Sequence, residues 1–177
     1  PRTVLVYDLG GGTFDVTVML VAAGLFEDLG KTGDMHLGGD DFDNKIVDWL
    51  IEQIRIRHRI DIRTLPRQQK NEALFTLKVE AEAAKIHLSK TLSTQIVMPG
   101  LVRTDGRLLD VEFELTRNEF NRMIQPDIDH SLSLLEDAIR LARTTPDDIN
   151  AVLMVGGSTR IPLVEDALRD RFGNRVI

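Results

Sequence analysis

With 177 residues, 42% apolar and 28% charged, the chain can bury a sizeable core, which excludes a disordered segment. A net charge of −6 argues against a nucleic-acid scaffold, and the absence of cysteine excludes a disulfide framework or a thiolate metal site. The lack of cysteine fits a reducing cytosol, so a cytoplasmic protein without a nucleic-acid partner is the expectation; no apolar stretch approaches the roughly 20 residues of a membrane span, so no membrane partner is expected either.

Residues 3–8, 13–22 and 24–30 run apolar or alternate, with glycine-containing breaks, and predict three consecutive strands in a meander. Residues 33–39 read as a loop. Asp40 and Asp41 then open a helix at its electropositive end, with Phe42, Ile46, Leu50 and Ile54 as its apolar stripe. The run Arg55 to Arg63 reads as basic and irregular. Pro66 opens a second helix reaching about Lys90, with Leu74, Leu77, Ala81, Ala84 and Leu88 as its buried stripe. Residues 93–98 and 108–115 form a strand pair around Thr104-Asp105-Gly106. Thr116-Arg117-Asn118-Glu119 is a capping-box pattern starting a third helix, which Pro126 divides from a longer segment reaching about Arg143. A strand at 151–155, a second glycine loop and a final helix between Pro162 and Gly173 complete the order. The fold expected is α/β, β-β-β-α, an α+β insertion, then α-β-α-β. Residues 1–54 with 120–177 form one subdomain and 55–119 an inserted one. Both ends fall in strand-like runs, so the sequence reads as a piece of a longer protein.

Two glycine loops carry the chemistry. Asp8-Leu9-Gly10-Gly11-Gly12-Thr13-Phe14-Asp15 follows the first strand. Backbone without Cβ lets a phosphate approach closely and turns N–H groups toward it. Thr13 offers a hydroxyl to a terminal phosphate. Asp8 and Asp15, at the two ends of the turn, suit hydrated Mg²⁺ or a monovalent cation beside phosphates. A plain hairpin is the alternative, but it needs one or two glycines rather than three between carboxylates. The second loop, Val155-Gly156-Gly157-Ser158-Thr159-Arg160-Ile161-Pro162, leads from strand to helix, where amides point outward and Arg160 can stack on a planar ring or pair with phosphate. Alone it is equally well an ordinary connection with Ser158 or Thr159 as N-cap. Glu82, Lys85 and Ser89 share one helix face at i, i+3 and i+7, with Ile86 beside them as an apolar wall. That face suits a ribose and a purine, or is simply a solvated polar face.

Taken together, Asp8–Asp15, Gly33-Asp34-Met35-His36-Leu37-Gly38-Gly39-Asp40-Asp41-Phe42-Asp43, Glu82–Ser89 and Val155–Pro162 resemble the seventy-kilodalton heat-shock chaperones, in order and over the whole chain. Lys85-Ile86 resembles the bacterial DnaK branch. The resemblance implies the second lobe of an ATPase domain, with an actin-like, ribonuclease-H-like fold that binds ATP or ADP with Mg²⁺ and K⁺. It implies that Gly10, Gly11, Gly12 and Thr13 hold the β- and γ-phosphates. Asp8 and Asp15 would organise the metal ions and orient the attacking water, so Asp8, Thr13 and Asp15 are the catalytic candidates. Gly38 and Gly39 would border the nucleotide cleft. Glu82, Lys85, Ile86 and Ser89 would face the adenosine, with Gly156, Gly157, Ser158 and Arg160 on its other side.

The same resemblance implies that the insertion is gripped by a nucleotide exchange factor. J-domain co-chaperones and unfolded clients would engage only the full-length protein. The family's first phosphate loop, its first-lobe lysine and its peptide-binding domain lie outside this sequence, so hydrolysis by the isolated chain is not expected. Two alternatives share the motifs: the lobe of an actin-like filament ATPase, and a non-catalytic docking module for exchange factors. Ser158-Thr159-Arg160-Ile161-Pro162 argues against the filament protein.

Overall fold

Leu5, Tyr7 and Leu9 alternate with less buried neighbours, and so do Phe14, Val16 and Val18. This period of two makes both segments strands with one core face. In the computed structural model, which describes residues 1–177, the chain order is β1 (Arg2–Leu9), β2 (Phe14–Ala22), β3 (Leu25–Asp34), α1 (Gly39–His58), α2 (Arg67–Leu88), β4 (Ser93–Thr104), β5 (Arg107–Thr116), α3 (Arg117–Leu141), β6 (Ala151–Val155) and α4 (Pro162–Phe172). The chain divides into two compact units, Pro1–Asp41 with Gln125–Ile177, and Phe42–Ile124.

The first unit holds a mixed four-stranded sheet in the order β3-β2-β1-β6, antiparallel except where β6 runs parallel to β1. Strand β3 runs further than the sequence predicts. Asp15 pairs with Gly33 and Phe14 with Asp34, so ladder pairing carries the strand through residues expected to be loop. The expected last strand is reduced to a parallel bridge between Val152 and Val176. The part of α3 from Gln125 onward packs on the core face. The Tyr7 hydroxyl meets the Ser131 hydroxyl at 2.5 Å, and the Thr32 hydroxyl donates to the Leu134 carbonyl at 2.7 Å. A Cβ at Gly30 would stand 2.5 Å from the Ala138 carbonyl oxygen, so a side chain there would push the helix off the sheet. On the opposite face Leu153 and Val155 remain 38% and 44% exposed.

In the second unit α1 buries Phe42, Ile46, Leu50, Ile51 and Ile54. The helix continues to His58, through residues expected to be irregular. Basic residues suit its electronegative end, and Arg57 is held twice. Its guanidinium lies 4.8 Å from the Phe113 ring centroid, and its Nη1 donates to the Glu112 carbonyl at 2.9 Å. Helix α2 buries Ala73, Leu77, Ala81, Ala84 and Leu88. Ala73 replaces the expected Leu74, because the 4-4-3-4 spacing from Ala73 keeps one face in register while Leu74 falls beside it. Strands β4 and β5 form the predicted hairpin, with Asp105 and Gly106 in its turn at positive φ.

The capping box at the start of α3 forms as the sequence predicts. The Glu119 amide donates to Thr116 Oγ1 at 3.2 Å and the Thr116 amide donates back to Glu119 Oε2 at 3.1 Å. Pro126 does not divide the helix; it lies inside it. Its missing N–H and ring clash cost about 3 kcal/mol in a helix interior. Phe120, Ile124, Ile128, Leu135 and Ala138 are buried at helical spacing, while Pro126 itself is exposed. Burial of such side chains, at about 1.5–3 kcal/mol each, outweighs the proline.

Candidate functional site

The first glycine loop is a tight turn closed by the Gly10 amide donating to the Thr13 carbonyl at 3.0 Å. The amides of Gly11, Gly12 and Thr13 donate to no acceptor in the protein, and all three residues are exposed. Three successive unused donors on one short, exposed loop are the kind of group an anion-binding turn requires.

The start of α1 holds this loop in place. The Gly39 amide donates to the Gly10 carbonyl at 2.9 Å and the Asp40 amide to the Gly11 carbonyl at 2.7 Å. Two donors that a helix N-terminus normally leaves unpaired are thereby spent on the loop's carbonyls. Asp41 braces the approach, accepting the Gly38 amide at 2.9 Å. A Cβ on Gly38 would overlap the Gly11 carbonyl oxygen, so only glycine allows this approach. Gly38 and Gly39 therefore support the loop through their backbone.

Asp8 and Asp15 are direct cross-strand partners, so their side chains share the sheet face opposite Tyr7 and Phe14. Opposed residues stand about 5 Å apart at Cβ, where like charges repel. Lys31, 3.2 Å from Asp15 Oδ1, offsets part of that repulsion. The sequence reading missed Lys31, whose only signal is its place on the strand beside Asp15. No group of three or more histidines, cysteines or carboxylates could hold a metal ion by itself. Two carboxylates without a third suit Mg²⁺, which keeps several waters and takes the rest of its ligands from phosphate oxygens.

The second loop differs from the expected strand-to-helix step. A 3₁₀ turn, Gly157–Arg160, intervenes, and α4 begins only at Pro162 after an extended Ile161. Neither Ser158 nor Thr159 caps the helix. The Ser158 hydroxyl donates to the Gly10 carbonyl at 2.9 Å and the Thr159 hydroxyl to the Gly156 carbonyl at 2.7 Å. Ser158 is only 7% exposed, so it ties the second loop to the first rather than facing solvent. Gly156 adopts φ +91°, and a Cβ there would overlap the Leu9 carbonyl and lie 3.0 Å from Asp8 Oδ1. Gly157 and Arg160 are exposed and border an open groove of about 520 Å³ with Met154, Gly156, Thr159, Glu165 and Ile177.

In the second unit Glu82 and Ile86 are exposed on α2, Ile86 at 54%. Ser89 is the C-cap residue of α2, and its hydroxyl points back to the Lys85 carbonyl at 3.4 Å. Lys85 is not a free surface cation. Its Nζ lies 2.8 Å from Asp43 Oδ1, with the two side chains 12% and 3% exposed. In the sequence Asp43 ends the Gly33–Asp43 motif beside the apolar stripe of α1, with no local signal that pairs it with Lys85.

The family model described as Hsp70 protein matches residues 1–177. The chain is 45% identical over 174 residues to the chaperone protein DnaK of Mycoplasma mobile, covering 98% of this chain and 28% of that protein. It is 44% identical over 170 residues to DnaK of Mycoplasmopsis synoviae, and 38% identical over 170 residues to DnaK of Thermosipho melanesiensis. Each of these two matches covers 96% of this chain and 28% of the relative. The chain thus spans a little over a quarter of the length of these relatives. With the glycine loops, the paired carboxylates and a match that runs from end to end, the chain belongs to the Hsp70 family.

Proposed function

We propose that this chain is an ATP-binding lobe of an Hsp70 chaperone, with an actin-like, ribonuclease-H-like fold. In the full-length cytoplasmic protein it would couple ATP binding and hydrolysis to protein folding. One observation carries the reading: three unused amides on a glycine turn, clamped from behind by the start of α1 and flanked by two opposed carboxylates.

In this reading the Gly11, Gly12 and Thr13 amides bind the β- and γ-phosphates, and the Thr13 hydroxyl contacts the terminal one. Asp8 and Asp15 would hold hydrated Mg²⁺, and K⁺ would accompany it; when bound, these cations would supply positive charge to offset that of the phosphates. Asp8 and Asp15 also accept hydrogen bonds from water, which orients a nucleophile beside the phosphates. Gly156, Gly157 and Arg160 take one side of the adenosine, Arg160 through its planar guanidinium. Glu82, Lys85, Ile86 and Ser89 supply the other contacts. Residues 1–54 with 120–177 form the nucleotide-binding subdomain, and 55–119 the inserted one. Exposed Phe75 and Val79 on α2 favour a second role for the insertion, docking a nucleotide exchange factor.

Calorimetry of the full-length protein with MgATP tests the reading. Gly38→Ala should push the start of α1 off the Gly11 carbonyl and weaken ATP binding about tenfold, equivalent to about 1.4 kcal/mol. Failure of the unaltered full-length protein to bind adenine nucleotides would overturn it.

A further inference from the structure

The two-stranded sheet of the second unit leaves one edge of β4 open. Strand β4 pairs with β5 alone, so on its other side alternate backbone N–H and C=O groups have no strand partner. The irregularity between Met98 and Val102, which contains Pro99 and Gly100, ends the regular edge and leaves residues 94–98 as its length. Neither a charged side chain nor a proline blunts this stretch. Beside it runs α2, and between the two lies a groove of about 480 Å³. His87 Nδ1 and Thr94 Oγ1, 2.9 Å apart, tie the end of α2 to the start of β4, from where the strand runs back along the helix.

The groove is asymmetric in charge. Ala83, Ile86 and Ile96 line its middle, Glu80 one end, and His87 and Lys90 the other. Neither Glu80 nor Lys90 forms an ion pair with another residue of the chain. Their ten-residue separation is about 15 Å at the helical rise. An extended segment puts alternate side chains on one face, about 6.6 Å apart, so its first and fifth residues span about 13 Å. Laid antiparallel on β4, the commoner pairing, such a segment runs from the Glu80 end to the Lys90 end. Charge complementarity then sets its order: lysine or arginine first, an apolar residue third, glutamate or aspartate fifth.

We propose that the open edge of β4 and the adjoining face of α2 dock an extended segment of a partner protein, taken up as an added strand and read as basic, apolar, acidic at alternate positions. The main chain supplies affinity, and Glu80, the apolar floor and Lys90 supply the order. Calorimetry of the full-length protein at low salt tests this with acetyl-Lys-Thr-Val-Thr-Glu-amide and its charge-reversed counterpart, acetyl-Glu-Thr-Val-Thr-Lys-amide. The first peptide should bind at least about fivefold more tightly, the scale of two exposed ion pairs. Glu80→Lys with Lys90→Glu keeps the net charge and should reverse the preference. Ala83→Trp, at an exposed position, should fill the groove and abolish binding. Methylating the peptide amides of Lys, Val and Glu, or those of the two threonines, should abolish binding in one set and leave it within about twofold in the other, because only alternate amides face a neighbouring strand.

A peptide site elsewhere in the full-length protein would ignore the exchange of Glu80 and Lys90, and that result would overturn the proposal. Equal tolerance of both methylation patterns would do the same, since side chains would then dock without an added strand. So would failure of the unaltered protein to bind either peptide, or a dimer in sedimentation that the peptide does not dissociate, which would give the edge to a second copy of the chain.

Discussion

Tyr7 shows how one buried polar atom links packing to pH. Its ring is fully buried against Phe14, with centroids 4.7 Å apart, and its hydroxyl meets Ser131. Burial pushes the phenol up to about 12, partly offset by the Ser131 hydrogen bond. An unfolded tyrosine ionises near pH 10. Stability is therefore intact below about pH 10 and falls as pH rises toward 12, by an order of 2 kcal/mol. Tyr7→Phe should cost about 1 kcal/mol at neutral pH yet flatten this alkaline loss. Denaturant titrations at a series of pH values will read both effects. Asp34 acts with the opposite sign. The His36 amide donates to it at 2.8 Å and His130 Nε2 lies 3.1 Å away, and together they lower its pKa. Its contribution is present above the ordinary carboxylate range and is lost as pH falls through the lowered value. Asp34→Asn should remove that acid-side loss; the effect is small because the side chain is 30% exposed.

At the scale of elements, helix α3 sets local preference against burial. Pro126 reads as a break because local chain sterics favour one, and five buried residues on one face keep the helix whole. Pro126→Ala should restore a backbone donor to the Arg122 carbonyl and raise stability by about 1–3 kcal/mol, seen as a higher melting temperature. An unchanged melting temperature would mean that the proline already sits without strain. The glycine turn after β1 and the capping box before α3 were legible because their signals lie within a few residues of each other. The clamp on that turn was not. Gly38 must be glycine because of Gly11, 27 positions away, and Ser158 is spent on Gly10, 148 positions away. Side-chain spacing marked Lys85 as part of a polar face, but only packing reveals that Asp43 holds it.

At the scale of the whole molecule, the part of α3 from Gln125 onward covers one face of the first unit's sheet, and the opposite face carries Asp8, Asp15 and Lys31 beside apolar residues. Leu153 and Val155 stand exposed on that opposite face, in register with Val6 and Asp8. Expressed as these 177 residues, the chain should self-associate through this face. Leu153→Lys with Val155→Glu should shift it toward monomer in sedimentation velocity; an unchanged distribution would locate the association elsewhere. The sequence by itself determined the α/β order of elements, the two phosphate-friendly loops and the family, since these depend on periodicity and on short motifs. Only the tertiary structure decided that the start of α1 takes the glycine turn's carbonyls, and that Ser158 and Lys85 are already engaged. Those outcomes depend on contacts between residues far apart in the chain, where close packing rather than local preference chooses each partner.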